Sequence, residues 1–304
     1  MSRVLISDPI AESAIEEIKE AGIEVVIREK PIEEAIVGFD GAVVRSATKV
    51  TKEVLDAADQ LKVIVRAGVG LDNIDLDYAD KCGVKVLNTP EAPSVSVAEL
   101  VFAHMFALAR HIPEADAGMN QEKWLKKKLR GVELWQKKLG IIGFGRIGKE
   151  IAKRGTGLEM DVLVVKKDKS GREEECLEVG ARQVEFEQLL READYLTINV
   201  PLVPGTKSMI GKEELKLMKR SAFLINTARG GIVDEDALLQ ALDDELIAGA
   251  ALDVYTEEPP SSPSLWKLVK HPKTVTTPHL ASTTYEAQDR VGELTAEKVI
   301  RELG

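Results

Sequence analysis

Cysteine is nearly missing from this chain, with 2 in 304 residues. Cys82 and Cys176 lie far apart and share no Cys-x-x-Cys spacing, which excludes a disulfide framework and a thiolate metal site. Histidine is scarce too, at 4 residues with no His-Glu-x-x-His pattern, so no metal is expected. Positive charge is the minority sign. With 41 Lys and Arg against 51 Asp and Glu the formal charge is −10, which argues against nucleic acid as a partner. An anionic substrate would therefore need a local basic site. The longest apolar stretch, Val95 to Ala109, is interrupted by Glu99 and His104, so no membrane span is expected. The opening residues, Met1 to Pro9, lack the apolar core of a secretory signal. A cytoplasmic globular protein is the expectation, and 304 residues suggest two domains.

What is present is organised around one glycine-rich loop. An apolar strand (Leu139, Ile141, Ile142) runs into Gly143, Gly145 and Gly148 at Gly-x-Gly-x-x-Gly spacing, and Ile147 and Ile151 then begin a helix pattern. The first glycine permits a sharp turn, the second a close backbone approach to a pyrophosphate, and the third tight packing of helix on strand. Strand before and helix after raise this above an ordinary glycine turn, and a dinucleotide site is the reading.

Strand and helix signals alternate on both sides of that loop. Before it, strands are expected at Val4 to Ile6, Val25 to Ile27, Ala42 to Val44, Lys62 to Val65 and Val84 to Leu87, with helices at Ala11 to Ala21, Thr51 to Ala58 and Asp75 to Lys81. A turn at Asn88 to Pro93 leads to a long helix, about Val95 to Arg110, apolar almost all round and so expected to be buried in a core or at an interface. After the loop, strands are expected at Val162 to Val165, Tyr195 to Val200, Ala222 to Asn226, Ile247 to Leu252 and Thr274 to Thr276. Helices are expected at Lys212 to Met218, Asp234 to Leu242 and Thr284 to Leu303. The fold class is therefore α/β, with two doubly wound parallel sheets covered on both faces.

Open α/β sheets bind ligands at the carboxyl ends of their strands. His279, in Thr-Thr-Pro-His-Leu, directly follows such an end, and histidine suits proton transfer near neutral pH. His104 reads as a packed core residue, His111 as a helix terminus and His271 as a loop residue. Arg229, flanked by Ala228 and Gly230 after another strand end, could clamp a 2-keto or 2-hydroxy carboxylate through paired hydrogen bonds. A third end, Asp253, continues to Glu257 and Glu258, and either glutamate could back His279 or be a solvated charge.

These residues sit in an ordered set of motifs. Val43 to Thr51, Arg66 to Asn73, the glycine loop, Asn226 to Glu235, Ala250 to Pro260 and Pro278 to Leu280 together resemble the D-isomer-specific 2-hydroxyacid dehydrogenases, most closely their D-3-phosphoglycerate dehydrogenase branch, over essentially the whole chain. The resemblance implies two Rossmann-like domains. Residues 1–92 with 283–304 would bind substrate, and an inserted domain of 93–282 would bind NAD(P). It implies interconversion of 3-phospho-D-glycerate and 3-phosphooxypyruvate, the first step of L-serine biosynthesis. His279 would be the acid and base, Glu258 its carboxylate partner and Arg229 the clamp. Gly143, Gly145, Arg146, Ile147, Gly148, Lys166, Pro201, Ala228 and Asp253 would face the cofactor. The Val69 and Gly70 amides would receive the substrate carboxylate, and Arg45 its phosphate. The helix after Asn88 would help form a homodimer, or pairs of dimers in a homotetramer. A glyoxylate or hydroxypyruvate reductase, or a non-enzymatic NAD(H)-sensing corepressor, are the alternatives.

The pattern departs from the family in places. Lys166 stands where an acidic residue would accept the ribose hydroxyls, and Asp168 lies two positions late. Lysine attracts a 2′-phosphate, so NADP(H) is an alternative to the favoured NAD(H). Pro278 to Thr283 is one glycine shorter than the family's loop. No regulatory domain follows the last helix, so serine feedback is not expected.

Overall fold

The computed structural model describes residues 1–165 and 173–304. The chain divides into two compact units, one of Met1–Ser94 with Ser282–Gly304 and one of Val95–Ala281. The joints fall at 94/95 and 281/282 instead of 92/93 and 282/283. The long helix Ser94–Arg110 begins on the first joint itself.

The first unit runs β1 (Arg3–Ile6), α1 (Glu12–Glu20), β2 (Glu24–Ile27), α2 (Ile32–Ala35), β3 (Gly41–Val44), α3 (Lys52–Ala57), β4 (Val63–Arg66), α4 (Leu76–Lys81) and β5 (Lys85–Asn88). Its strands form a parallel sheet in the order β2-β1-β3-β4-β5. Val4, Leu5, Val43, Val44 and Val63 to Val65 are buried on both faces, which explains why each strand reads as an unbroken apolar run.

The second unit carries α5 (Ser94–Arg110), α6 (Ile112–Asn120), β6 (Lys138–Ile142), α7 (Arg146–Gly157), β7 (Asp161–Val165), α8 (Glu173–Leu177), β8 (Ala181–Gln183), α9 (Phe186–Glu192), β9 (Tyr195–Ile198), α10 (Lys212–Leu217), β10 (Phe223–Asn226), α11 (Glu235–Asp243), β11 (Gly249–Leu252), α12 (Pro263–Val269) and β12 (Thr274–Thr276). Its strands are again parallel, in the order β12-β11-β10-β9-β6-β7-β8. The order reverses between β6 and β9, the point at which doubly wound sheets open a crevice for a dinucleotide. Tyr195 on β9 stacks on Phe223 of β10 with ring centroids 5.3 Å apart.

Helix α5 is buried along one side only within this chain. Val101, Met105 and Ala109 are buried, while Val95, Glu99, Ala103 and Phe106 form an exposed stripe. It ends at His111, whose φ of 52° breaks the helix before Pro113 helps start α6. Among the described residues no single helix is long and apolar enough to cross a membrane. The last helix, α13 (Tyr285–Leu303), returns to the first unit and packs on α1. Gly292 makes that approach possible, since a Cβ there would stand 2.9 Å from Ala11 Cβ. Three expected strands are shorter than the sequence implies: β9 stops at Ile198, β10 starts at Phe223, and β11 starts only at Gly249.

Candidate active site

The glycine loop lies between the ends of β7 and β9. Gly143 N donates to Val165 O at 2.8 Å, and Asn199 N donates to Ile142 O at 2.7 Å. Gly143 has a φ of 93°, and a Cβ on it would meet Asn199 O at 2.4 Å. Gly148 sits over Gly143, where a Cβ would be 2.2 Å from the Gly143 carbonyl oxygen. Gly145 is the N-cap of α7 and differs from both: no atom lies within 4 Å of its would-be Cβ. Open space thus faces the first amides of a helix that has no side-chain cap and no acidic residue in its first turn. Those amides lack intrahelical acceptors by geometry, and the helix dipole adds positive potential. The arrangement fits a pyrophosphate. Arg146 and Ile147 open this helix, Pro201 is exposed just beyond β9, and half-buried Ala228 lies beyond β10. Lys166, the residue of the cofactor-choice argument, lies outside the described residues, as do Lys167 and Asp168.

Arg229, Glu258 and His279 follow the carboxyl ends of three adjacent strands, β10, β11 and β12. Asn226 braces the first turn, its side chain accepting from Ala228 N at 3.1 Å and donating to Arg229 O at 2.9 Å. Gly230 lets this turn touch the next one, since a Cβ there would stand 2.0 Å from the Tyr255 carbonyl. The Glu235 carboxylate takes both the Thr256 amide, at 2.8 Å, and the Thr256 hydroxyl, tying α11 to the same turn. Tyr255 donates its hydroxyl to Leu252 O or Thr277 O, each at 3.1 Å, and burial pushes its pKa up to about 12.

The third turn hangs from Asp253. This side chain is fully buried, and its oxygens accept from Thr277 Oγ1 at 2.5 Å, Leu280 N at 2.7 Å and Ala281 N at 2.9 Å. His279 N donates to Asp253 O at 2.8 Å, and His279 takes the left-handed conformation with φ 54°. A non-glycine residue held there is a sign of local over-determination.

The result is a contact across 21 positions of sequence: His279 Nδ1 lies 2.7 Å from Glu258 Oε2. The other carboxylate oxygen accepts from Tyr255 N at 3.0 Å. Burial raises the Glu258 pKa, but the hydrogen bonds from His279 and Tyr255 N and the charges of His279 and Arg229 outweigh it, and the net shift is downward. Glu258 is therefore a carboxylate at neutral pH and can only accept. The proton must sit on His279 Nδ1, which leaves Nε2 as a base when the ring is neutral. Glu257 faces elsewhere and accepts from Ser261 Oγ and Ser262 N. Arg229 is half-buried, with Nη1 2.7 Å from Ala228 O, and its charge reaches Glu258.

Arg45, Val69 and Gly70 belong to the other unit, just past the ends of β3 and β4. Arg45 N donates to Asp8 Oδ2 at 2.5 Å, and Asn73 Nδ2 donates to Arg45 O at 2.7 Å and Thr48 O at 2.6 Å, which pins that turn. Asn88 Nδ2 donates to Val69 O at 2.6 Å. Sequence reasoning missed Tyr255, Glu235, Thr277 and the part played by His104, whose imidazole reaches Thr277 Oγ1 at 3.1 Å. Each is an unremarkable residue in sequence, and only its distant partner gives it meaning.

Comparison with known proteins identifies the family. The profile for "D-isomer specific 2-hydroxyacid dehydrogenase, NAD binding domain" matches residues 102–281. A D-3-phosphoglycerate dehydrogenase of Archaeoglobus fulgidus is 44% identical over 98% of this chain, which spans only 56% of that relative's length. A hydroxypyruvate reductase of Thermotoga maritima is 40% identical over 99% of this chain and 98% of its own. The crystal structure of D-lactate dehydrogenase from Aquifex aeolicus, complexed with NAD and lactic acid, superposes with a TM-score of 0.86 at 29% identity, covering 98% of this chain and 94% of that one. With two parallel α/β units, the glycine loop and this match over most of its length, the chain belongs to the D-isomer-specific 2-hydroxyacid dehydrogenases, an NAD-binding enzyme family.

Proposed function

We propose that this chain interconverts 3-phospho-D-glycerate and 3-phosphooxypyruvate with a nicotinamide cofactor, and that His279 and Glu258 are its acid–base pair. The observation that carries the reading is the 2.7 Å contact between His279 Nδ1 and Glu258 Oε2 at adjoining strand ends. A bound nicotinamide would supply the hydride acceptor for oxidation and the donor for reduction. Gly143, Gly145, Arg146, Ile147, Gly148, Pro201 and Ala228 are the described residues assigned to hold it; Asp253, expected to face it, is fully buried with both oxygens engaged by the His279 turn. In oxidation, neutral His279 takes the C2 hydroxyl proton at Nε2, and the imidazolium so formed is stabilised through Nδ1–H by Glu258. In reduction the same Nε2–H returns the proton. Arg229 grips the carboxylate through its planar fork and orients C2, and such positioning supplies a large share of the rate. Arg45 is assigned to the phosphate, and the Val69 and Gly70 amides to the carboxylate.

A hydroxypyruvate reductase is the second reading, favoured by the Thermotoga maritima relative, which matches this chain over 98% of its own length. NAD(H) is the assigned cofactor, with NADP(H) the alternative that Lys166 introduces. A homodimer or homotetramer is also proposed, supported by exposed apolar side chains at Phe106, Ile112, Met119, Trp124, Val132 and Trp135. Steady-state reduction of 3-phosphooxypyruvate, hydroxypyruvate and glyoxylate with NADH and with NADPH tests the whole assignment. The phosphorylated substrate with NADH should give the highest kcat/KM. A preference for hydroxypyruvate would transfer the assignment to the second reading. Cofactor binding without turnover on any of them would remove the enzymatic role and favour an NAD(H) sensor.

A further inference from the structure

We propose that His104 is a positioning residue of this site, holding the turn that carries His279 through Thr277 and Asp253. The inference rests on the acid–base reading of His279. His104 lies on α5, remote from the strand-end turns in sequence, and its side chain is 2% exposed. Its Nε2 lies 3.1 Å from Thr277 Oγ1, a contact that spans 173 positions.

The protonation pattern along this line follows from donor and acceptor inventory alone. Thr277 Oγ1 has one proton, and Asp253 Oδ1, a buried acceptor, lies 2.5 Å away to take it. Thr277 can then only accept from His104, so the imidazole carries its proton on Nε2. Burial also lowers the His104 pKa, against an opposing pull from the Asp253 charge, which keeps the ring neutral. Asp253, so supplied, holds Leu280 N at 2.7 Å and Ala281 N at 2.9 Å, the two amides that directly follow His279. Its own carbonyl takes the His279 amide at 2.8 Å. Thr277 is anchored on its other sides too, its amide donating to Leu252 O at 3.0 Å and its carbonyl within 3.1 Å of Tyr255 Oη. Each hydrogen bond in such a buried chain polarises the next, so a donor at its head strengthens the grip on the turn at its foot.

The unused ring nitrogen supports a purpose beyond packing. His104 Nδ1 is buried and has no hydrogen-bond partner among the described residues. A methionine or leucine would fill this core position without stranding a polar atom. What it could not do is donate to Thr277.

The test uses the full chain and three readouts. Long-range 1H–15N correlation of the unaltered protein should show His104 as the neutral Nε2–H tautomer. In His104→Met, the Leu280 and Ala281 amides should exchange with solvent about tenfold faster, the loss of one buried hydrogen bond's worth of local protection. With 3-phosphooxypyruvate or hydroxypyruvate, whichever the wild type turns over, kcat should fall on the order of tenfold with KM unchanged. His104→Gln, which returns an N–H donor at similar reach, should recover both. An Nδ1–H or doubly protonated ring would overturn the proposal even if His104→Met failed to fold. Unchanged exchange in His104→Met, or a glutamine variant as impaired as the methionine one, would overturn it equally. A wild type that turns over no 2-keto acid would defeat the acid–base reading instead, while tautomer and exchange still decide whether His104 holds the turn.

Discussion

Placing a methyl group at Gly145 and at Gly148 should separate cofactor binding from folding. At Gly145 the backbone is extended, with φ −86° and ψ −160°, and no atom lies within 4 Å of the new Cβ. Alanine is unstrained there, so Gly145→Ala should change stability by no more than about 0.5 kcal/mol. The same methyl would project into the space assigned to the pyrophosphate. An overpacking cost of about 1–3 kcal/mol falls then on binding alone, a loss of NADH affinity of roughly five- to 150-fold. At Gly148 the new Cβ would stand 2.2 Å from the Gly143 carbonyl oxygen and 3.5 Å from Ile141 Cγ2. Backbone must move to admit it, and the cost of about 1–3 kcal/mol falls on the fold, offset by up to ~1 kcal/mol of helix propensity. For a domain of this size, each kcal/mol lowers Tm by about 2–4 °C. Thermal unfolding of the unliganded protein and an NADH fluorescence titration would report the two effects separately. Gly145→Ala binding NADH as tightly as wild type would show that no phosphate approaches this backbone, and the cofactor assignment would fail with it.

Other substitutions address the chemistry. His279→Gln should reduce turnover by on the order of a hundredfold or more while NADH binding survives, measured by steady-state kinetics beside the same titration; near-normal turnover would remove His279 from the reaction. Arg229→Lys keeps the charge and loses the paired fork, so KM for the 2-keto acid should rise roughly tenfold or more, and an unchanged KM would place the carboxylate elsewhere. Stability should also carry a pH signature of His104, whose folded pKa burial holds below the ordinary histidine value of 6.5. A lowered folded pKa means that the unfolded chain binds the proton more readily. The contribution is full above 6.5 and is lost as pH falls through the folded value. The Tm of wild type should therefore drop more steeply than that of His104→Met between pH 7.5 and 5.5, and parallel curves would show that the imidazole is not held neutral.

Much of this molecule was legible before any coordinates. Central strands β3 and β4 announce themselves at Ala42 to Val44 and Val63 to Val65, because burial on both faces demands continuous apolar residues. Several other elements did not. Helices α2, α6, α8, α9 and α12 and strand β8 escaped the pattern reading, since each offers too few apolar positions to set a period. Glu257 and Glu258 could not be separated by their own chemistry, because adjacent glutamates have the same intrinsic properties. What separates them is which carboxylate the turn points at His279.

By itself, then, the sequence determined whatever depends on neighbours along the chain: the alternating strands and helices, the turn that only Gly143 can make at φ 93°, and the uncapped helix start beyond it. The tertiary structure alone decided which side chains meet. His279 finds Glu258 at 2.7 Å only because parallel strands bring their carboxyl ends to one edge, and His104 reaches Thr277 only because α5 packs against that sheet. A hydrogen bond closes over a few ångströms of space and is blind to the number of residues between its ends, so no local pattern can encode it.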